Sequence, residues 1–141
     1  ERLKPLHRWL LANVPDGEVE LMHGDSTLHN YLFDGTRLTA VLDWEMSSLG
    51  RAEADLALQC VGNQLFAAPP GSGLPMPPSE AQWLAYYAQA GGRPLRDFDY
   101  FKQFAAYLII VAVGALQRNM DEDARAAQEP LLRPLWDMVH A

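Results

Sequence analysis

Apolar residues recur at Leu3, Leu6, Leu10 and Leu11, with Trp9 beside them, at the spacing of one helical face. Pro15-Asp16-Gly17 then supplies a stop and a turn. Val19 to Met22 is short and apolar, which predicts a strand, and the polar stretch His23 to Asn30 follows it. Tyr31-Leu32-Phe33, a turn at Asp34-Gly35 and the run Leu38 to Leu42 predict an antiparallel hairpin. From Ala52 the period changes: Ala54, Leu56, Ala57, Cys60, Val61 and Leu65 form a helical stripe. A Pro- and Gly-rich loop is expected from Ala67 to Pro78. Ser79, with Gln82 three residues on, then opens a helix that runs through Trp83, Leu84, Tyr86 and Tyr87 to a stop at Gly91-Gly92. The next helix, Phe98 to Arg118, is apolar nearly all round, which predicts that other helices enclose it. Pro130 and Pro134 punctuate the last stretch, so a short final helix is expected over Leu131 to Val139. No internal repeat or low-complexity segment interrupts the pattern. The expected fold is α+β and mostly α, with helices around a small β-hairpin, in a single unit spanning residues 1–141.

Composition narrows the function classes. A chain of 141 residues, 49% hydrophobic, can bury one core. The formal charge of −7 argues against a nucleic-acid surface, which needs a basic patch to displace counterions. Cys60 is the only cysteine; it has no internal disulfide partner and points to a reducing, cytoplasmic compartment. The apolar run Ala105 to Leu116 is shorter than the ~20 residues of a membrane span, so it reads as a buried helix. The chain starts without Met or a leader pattern, which suggests a piece of something longer.

The chemistry concentrates at the hairpin. Phosphoryl transfer needs a carboxylate to orient or deprotonate the accepting hydroxyl and oxygen ligands to hold Mg²⁺ against nucleotide phosphates. Asp25 and Asn30 share one loop and can supply the base and one metal oxygen. Asp43, at the far end of the hairpin that begins after Asn30, returns to the same edge and can supply a second. The plainer readings are turn formation for Asp25 and Asn30 and strand termination for Asp43. His23 suits a structural tie between loop and core better than proton transfer, and His29 suits an exposed loop position. Glu45 fits either a water-mediated metal contact or a loop cap. Trp44, Trp83, Tyr86, Tyr87 and Tyr107 are expected in the core, and Asp121-Glu122-Asp123 at a solvated helix start. One Cys and no paired His leave nothing for a zinc site, and Ser26, Ser47 and Ser48 lack a nucleophile elbow.

His23-Gly24-Asp25, then Asn30, then Leu42-Asp43-Trp44-Glu45 resembles the signature of the aminoglycoside phosphotransferase and choline kinase superfamily, a relative of the protein kinases. Gly24 stands where protein kinases carry Arg, and Trp44-Glu45 where they carry Phe-Gly. From Leu21 to Cys60, with Gly50 and Asp55-Leu56-Ala57, the wording is similar to the branch that in some proteins is fused to acyl-CoA dehydrogenases. The resemblance implies a kinase-like C-terminal lobe, with a catalytic loop at residues 23–30 and a metal motif at residues 42–45. It also implies Asp25 as the base, Asn30 and Asp43 as Mg²⁺ ligands, and Asp55 bracing the loop by accepting backbone N–H bonds.

The same resemblance makes ATP the donor and a small-molecule hydroxyl the acceptor. It also implies an N-terminal nucleotide-gripping lobe, which is expected to be absent from residues 1–141 and so to be a partner, because Lys4 and Lys102 are the only lysines and neither follows a Gly-rich strand pair. The acceptor stays open between an aminoglycoside, a hydroxyacyl-CoA and another metabolite. Two rivals stand beside this reading: a non-catalytic binding or regulatory module built on the same lobe, and a magnesium-dependent phosphohydrolase with water as acceptor.

Overall fold

Pro5 in the first turn and the Leu6/Leu10 pair on one face begin helix α1, Lys4–Ala12, in a computed structural model that describes residues 2–65 and 76–139. Strand β1, Glu20–Met22, leads into the polar loop, whose end is a 3₁₀ turn over Leu28–Asn30. The hairpin follows as β2, Tyr31–Asp34, and β3, Arg37–Val41, paired Tyr31↔Val41 through Asp34↔Arg37 with an irregularity between Leu32 and Phe33. Gly35, at φ 59°, takes the left-handed turn position that glycine adopts without a Cβ penalty. A second 3₁₀ turn, Trp44–Met46, precedes β4, Ser48–Gly50. β4 pairs antiparallel with β1, Leu21 opposite Leu49. The four strands therefore make two small antiparallel sheets. The sequence pattern missed β4 because its three residues are too few to show alternation.

Four helices complete the described residues: α2, Ala52–Leu65; α3, Glu80–Gln89; α4, Phe98–Gln117; and α5, Glu122–Met138. α3 opens with the expected capping box, in which the Ser79 hydroxyl accepts from the Gln82 N–H and the Gln82 side chain accepts from the Ser79 N–H. The core joins Ala54, Ala57 and Val61 of α2 to Phe101, Ala105, Ala106 and Ile110 of α4 and to Leu132 and Leu135 of α5. Alanines at the α2–α4 crossing let the two backbones approach, and the larger side chains each contribute about 1.5–3 kcal/mol by leaving water.

Several expectations change. α4 is not enclosed: Val111 and Leu116 are exposed, and burial follows one face. As a 20-residue helix it is long and apolar enough to cross a membrane by length and composition, a test that core helices also pass. The last helix is not a short one after the prolines but runs from Glu122 through Pro130 and Pro134. The two prolines sit four residues apart on an exposed face, so the missing N–H bonds open to water while Leu132 and Leu135 face inward. Asp121 caps this helix by accepting from Ala124 N–H at 2.8 Å. Trp44 and Tyr86 are about half exposed rather than core aromatics. Of the expected Pro- and Gly-rich loop, residues 67–75 lie outside the described residues.

Candidate active site

β1 delivers His23 into the interior, where it is 5% exposed. The Asp25 backbone N–H donates to His23 Nδ1 at 3.2 Å, which makes Nδ1 an acceptor and leaves the proton on Nε2. Nε2 then donates to the Leu42 carbonyl at 2.7 Å. His23 thus ties the loop to the end of β3, and its ring packs on Trp44 with centroids 4.7 Å apart. Trp44 Nε1 in turn donates to the Val41 carbonyl at 2.9 Å.

Asp55, in the first turn of α2, accepts the backbone N–H of His23 at 2.7 Å and that of Gly24 at 2.9 Å, one on each carboxylate oxygen. The Ser26 hydroxyl donates to the Asp55 carbonyl at 3.2 Å. Gly24 has φ 82°, and a Cβ there would run into the Met46 carbonyl. Conformation and space both require glycine where protein kinases place Arg.

Asn30 lies at the end of the same loop. Its amide nitrogen donates to the Asp25 carbonyl at 2.8 Å and to Asp25 Oδ2 at 2.9 Å. Both partners are acceptors, so the NH₂ group faces them and Oδ1 points elsewhere, with no hydrogen bond among the described residues. The Leu42 N–H donates to the Asn30 carbonyl at 2.7 Å, which places Asp43 one residue beyond the rung that joins the two hairpin ends.

Asp43 is in the left-handed conformation, φ 62° and ψ 59°, which Asp tolerates better than most residues but at a cost of about 1–3 kcal/mol. Its exposed carboxylate has no hydrogen bond or ion pair among the described residues. The structure therefore brings Asp25 and Asn30 into contact and sets Asp43 beside Asn30 through the backbone. His29 and Glu45 are exposed and take no part in this network. Tyr31 closes the side of the loop by donating to the Ser26 carbonyl at 3.3 Å. Burial raises the pKa of its hydroxyl, the Ser26 bond pulls it back, and the charges of Asp55 and Asp25 add to the rise.

Asn30 Oδ1 and the Asp43 carboxylate are amide and carboxylate oxygens, the donor type that a hard cation such as Mg²⁺ takes. Among the described residues no group of three His, Cys, Asp or Glu side chains is placed to hold a metal ion. A recess of about 1330 Å³ between α1 and the start of α4, lined by Trp9, Asp97 and Tyr100 among others, includes none of the loop residues.

A second polar cluster escaped the sequence pattern. Glu53 is fully buried in the first turn of α2 and accepts from Arg51 at 2.9 and 3.1 Å, from both terminal nitrogens of Arg93 at 2.7 Å, and from the Arg96 N–H at 3.1 Å. Burial opposes its ionisation, yet the bonds from Arg93, Arg51 and Arg96 outweigh it and hold the carboxyl well below the usual carboxylate range. Hydrogen bonds to Glu53 and Glu20 push Arg93 upward in turn. A signal was present: Glu53 is four residues before Ala57 and eight before Val61, on the buried stripe itself.

A mostly helical fold with small antiparallel sheets is the architecture of a phosphotransferase-type domain. The chain belongs to the phosphotransferase enzyme family, whose sequence profile matches residues 1–107. It is 44% identical over 59 residues to human acyl-CoA dehydrogenase family member 11, covering 39% of this chain and 8% of that protein. Against mouse acyl-CoA dehydrogenase family member 10 it is 27% identical over 138 residues, or 89% of this chain and 13% of the relative. A solved structure assigned as an aminoglycoside phosphotransferase from Ralstonia eutropha JMP134 superposes with a TM-score of 0.66 at 25% identity. That superposition covers 99% of this chain and 49% of the other, so the chain spans about half of the solved structure and a small part of the two dehydrogenase-family relatives.

Proposed function

We propose that this chain is the C-terminal, catalytic lobe of an ATP-dependent phosphotransferase that moves a γ-phosphoryl group to a hydroxyl of a small molecule. The observation that carries the reading is the Asp25–Asn30 pair. Asn30 fixes one oxygen of Asp25 and leaves the other oxygen to meet an acceptor hydroxyl. In this scheme Asp25 orients the hydroxyl and takes its proton as the acceptor oxygen bonds to phosphorus and ADP leaves. Asn30 Oδ1 and Asp43 would hold Mg²⁺, which when bound neutralises charge on the phosphates. His23 and Asp55 take no proton; they hold the loop in shape.

The nucleotide-gripping half belongs to an N-terminal lobe. Two facts support this: the chain covers 49% of the solved relative, and the hairpin beside the site exposes Leu32, Phe33 and Leu38, an apolar surface suited to burial under another lobe. The acidic charge of the chain supports a partner set without nucleic acid, and the core-facing side of α4 supports a reading without a membrane span. A reducing, cytoplasmic setting fits Cys60, a buried thiol that burial first, and the charge of Glu80 second, push up to about 11. The acceptor panel holds aminoglycosides, after the name of the solved relative, together with hydroxyacyl-CoA compounds and other hydroxyl-bearing metabolites.

The test is ADP release by the two-lobed protein with and without each acceptor. Release that requires an acceptor and disappears in Asp25→Asn supports the proposal. Equal release without any acceptor indicates a phosphohydrolase, and no release under any condition indicates a non-catalytic module.

A further inference from the structure

Arg93 lies between α3 and α4, far in sequence from the catalytic loop, and its guanidinium holds two distant segments at once. Its Nε donates to Glu20 Oε1 at 2.9 Å, while Nη1 and Nη2 donate to the two oxygens of Glu53 at 2.7 Å each. Glu20 opens β1, three residues before His23. Glu53 precedes Asp55 by two residues on the first turn of α2, and Asp55 grips the His23 and Gly24 amides. The connections close into a ring, from Glu20 along β1 to His23, across to Asp55, back along α2 to Glu53, and through Arg93 to Glu20. β1 and the start of α2 are thus clamped at both ends, and a slip of either segment breaks both clamps. Two arginines and two glutamates make the cluster electrically neutral, and Arg51 supplies the other ion pair to the buried Glu53 carboxylate.

We infer that Arg93, acting through Glu20 and Glu53, is a positioning residue that sets the catalytic loop in register with Asp55. The inference rests on the proposed reaction only for the word catalytic; the clamp itself is a property of the folded chain. Arg is suited to this task because its planar fork serves Glu53 bidentately while Nε remains for Glu20, which a single ammonium group cannot do. A merely structural role would lower the protection of every slowly exchanging amide by the same factor. A positioning role loosens the loop more than the core.

The experiment is native-state amide hydrogen exchange of this chain, with no substrate or nucleotide, in Glu20→Gln and Arg93→Lys. Both variants keep the Arg51–Glu53 pair, so both are expected to fold with the buried carboxylate still paired. Protection at His23 and Gly24 should fall about tenfold in each, while Ala105, Ala106 and Ile110 of α4 change less than about twofold. Unchanged protection at His23 and Gly24, or an equal fall in α4, would overturn the inference. Because nothing in the readout depends on phosphoryl transfer, failure of the ADP-release assay with a positive exchange result would remove the reaction and leave the clamp.

Discussion

The two acidic side chains of α2's first turn, Glu53 and Asp55, stand two residues apart and do opposite kinds of work. Glu53 faces the interior and meets two guanidinium groups and a backbone amide, with no access to water. Asp55 faces the loop and meets backbone N–H groups only. The same contrast runs through the molecule. Below α2 the chain is closed, with Val61, Ala105, Ala106 and Leu135 essentially out of contact with water. At the site end, the hairpin and β4 leave Phe33 53% and Leu49 77% exposed, and Asn30 Oδ1 and the Asp43 carboxylate without partners among the described residues. The helical base buries its core while leaving single side chains such as Val111 and Leu116 in water, whereas in the proposed reading the open site end is where an N-terminal lobe would sit.

Four substitutions break or sharpen this comparison. The largest effect is expected at the open end: in the two-lobed protein Asp25→Asn should lower turnover by about 10²–10⁴-fold, the scale of a lost general base, as read in steady-state ADP release. Next comes the closed end. Glu53→Leu leaves Arg51 and Arg93 without their shared counter-charge and should cost about 3–5 kcal/mol in urea unfolding of this chain. Ile110→Ala opens a void in the α2–α4–α5 core and should cost about 2–5 kcal/mol in the same assay. The smallest effect belongs to Phe33→Ser, which should change the stability of this chain by no more than about 0.5 kcal/mol. The same change should weaken association with the N-terminal lobe, measured by titrating the two separately expressed halves. Equal destabilisation by Phe33→Ser and Ile110→Ala would erase the distinction between the two ends.

Acid sharpens it further. Glu53 has a folded pKa depressed below its ordinary 4.5, so its contribution is fully present above that value and is lost as pH falls below it toward the folded pKa. Wild type should therefore lose stability in that acid range, while Glu53→Gln, already lacking the charge, should show a flatter profile in urea midpoints measured from pH 6 to pH 3.

The placement of the residues at the open end was largely legible in the sequence, because it depends on local elements. Asp25, Asn30 and Asp43 stand out as polar residues bounding short apolar strands, and the hairpin that joins them is announced by Asp34-Gly35. Gly24 carries its reason in its own φ and in the nearby Met46 carbonyl. The closed end was legible only as hydrophobic stripes. Its ion cluster draws Glu20, Arg51, Glu53 and Arg93 from segments that meet only once the chain has folded, and no local period announces such a meeting. β4 was missed for a related reason, since its strand character comes from pairing with β1 rather than from its own three residues. α5 is longer than the prolines suggest, because the spacing of Pro130 and Pro134 places both on the solvent side of a continuing helix.

The central claim is a division of labour, with Asp25 acting on the acceptor and Asp43 on the metal. The direct measurement is kcat together with Mg-ATP affinity for Asp25→Asn and Asp43→Asn in the two-lobed protein. The account predicts that Asp25→Asn collapses kcat while Mg-ATP affinity stays within about twofold. It predicts that Asp43→Asn, which removes a full charge from the ion's surroundings, weakens nucleotide binding and shifts its Mg²⁺ dependence to higher concentration. Near-normal turnover in Asp25→Asn, or an equal loss of Mg-ATP binding in both variants, would contradict it.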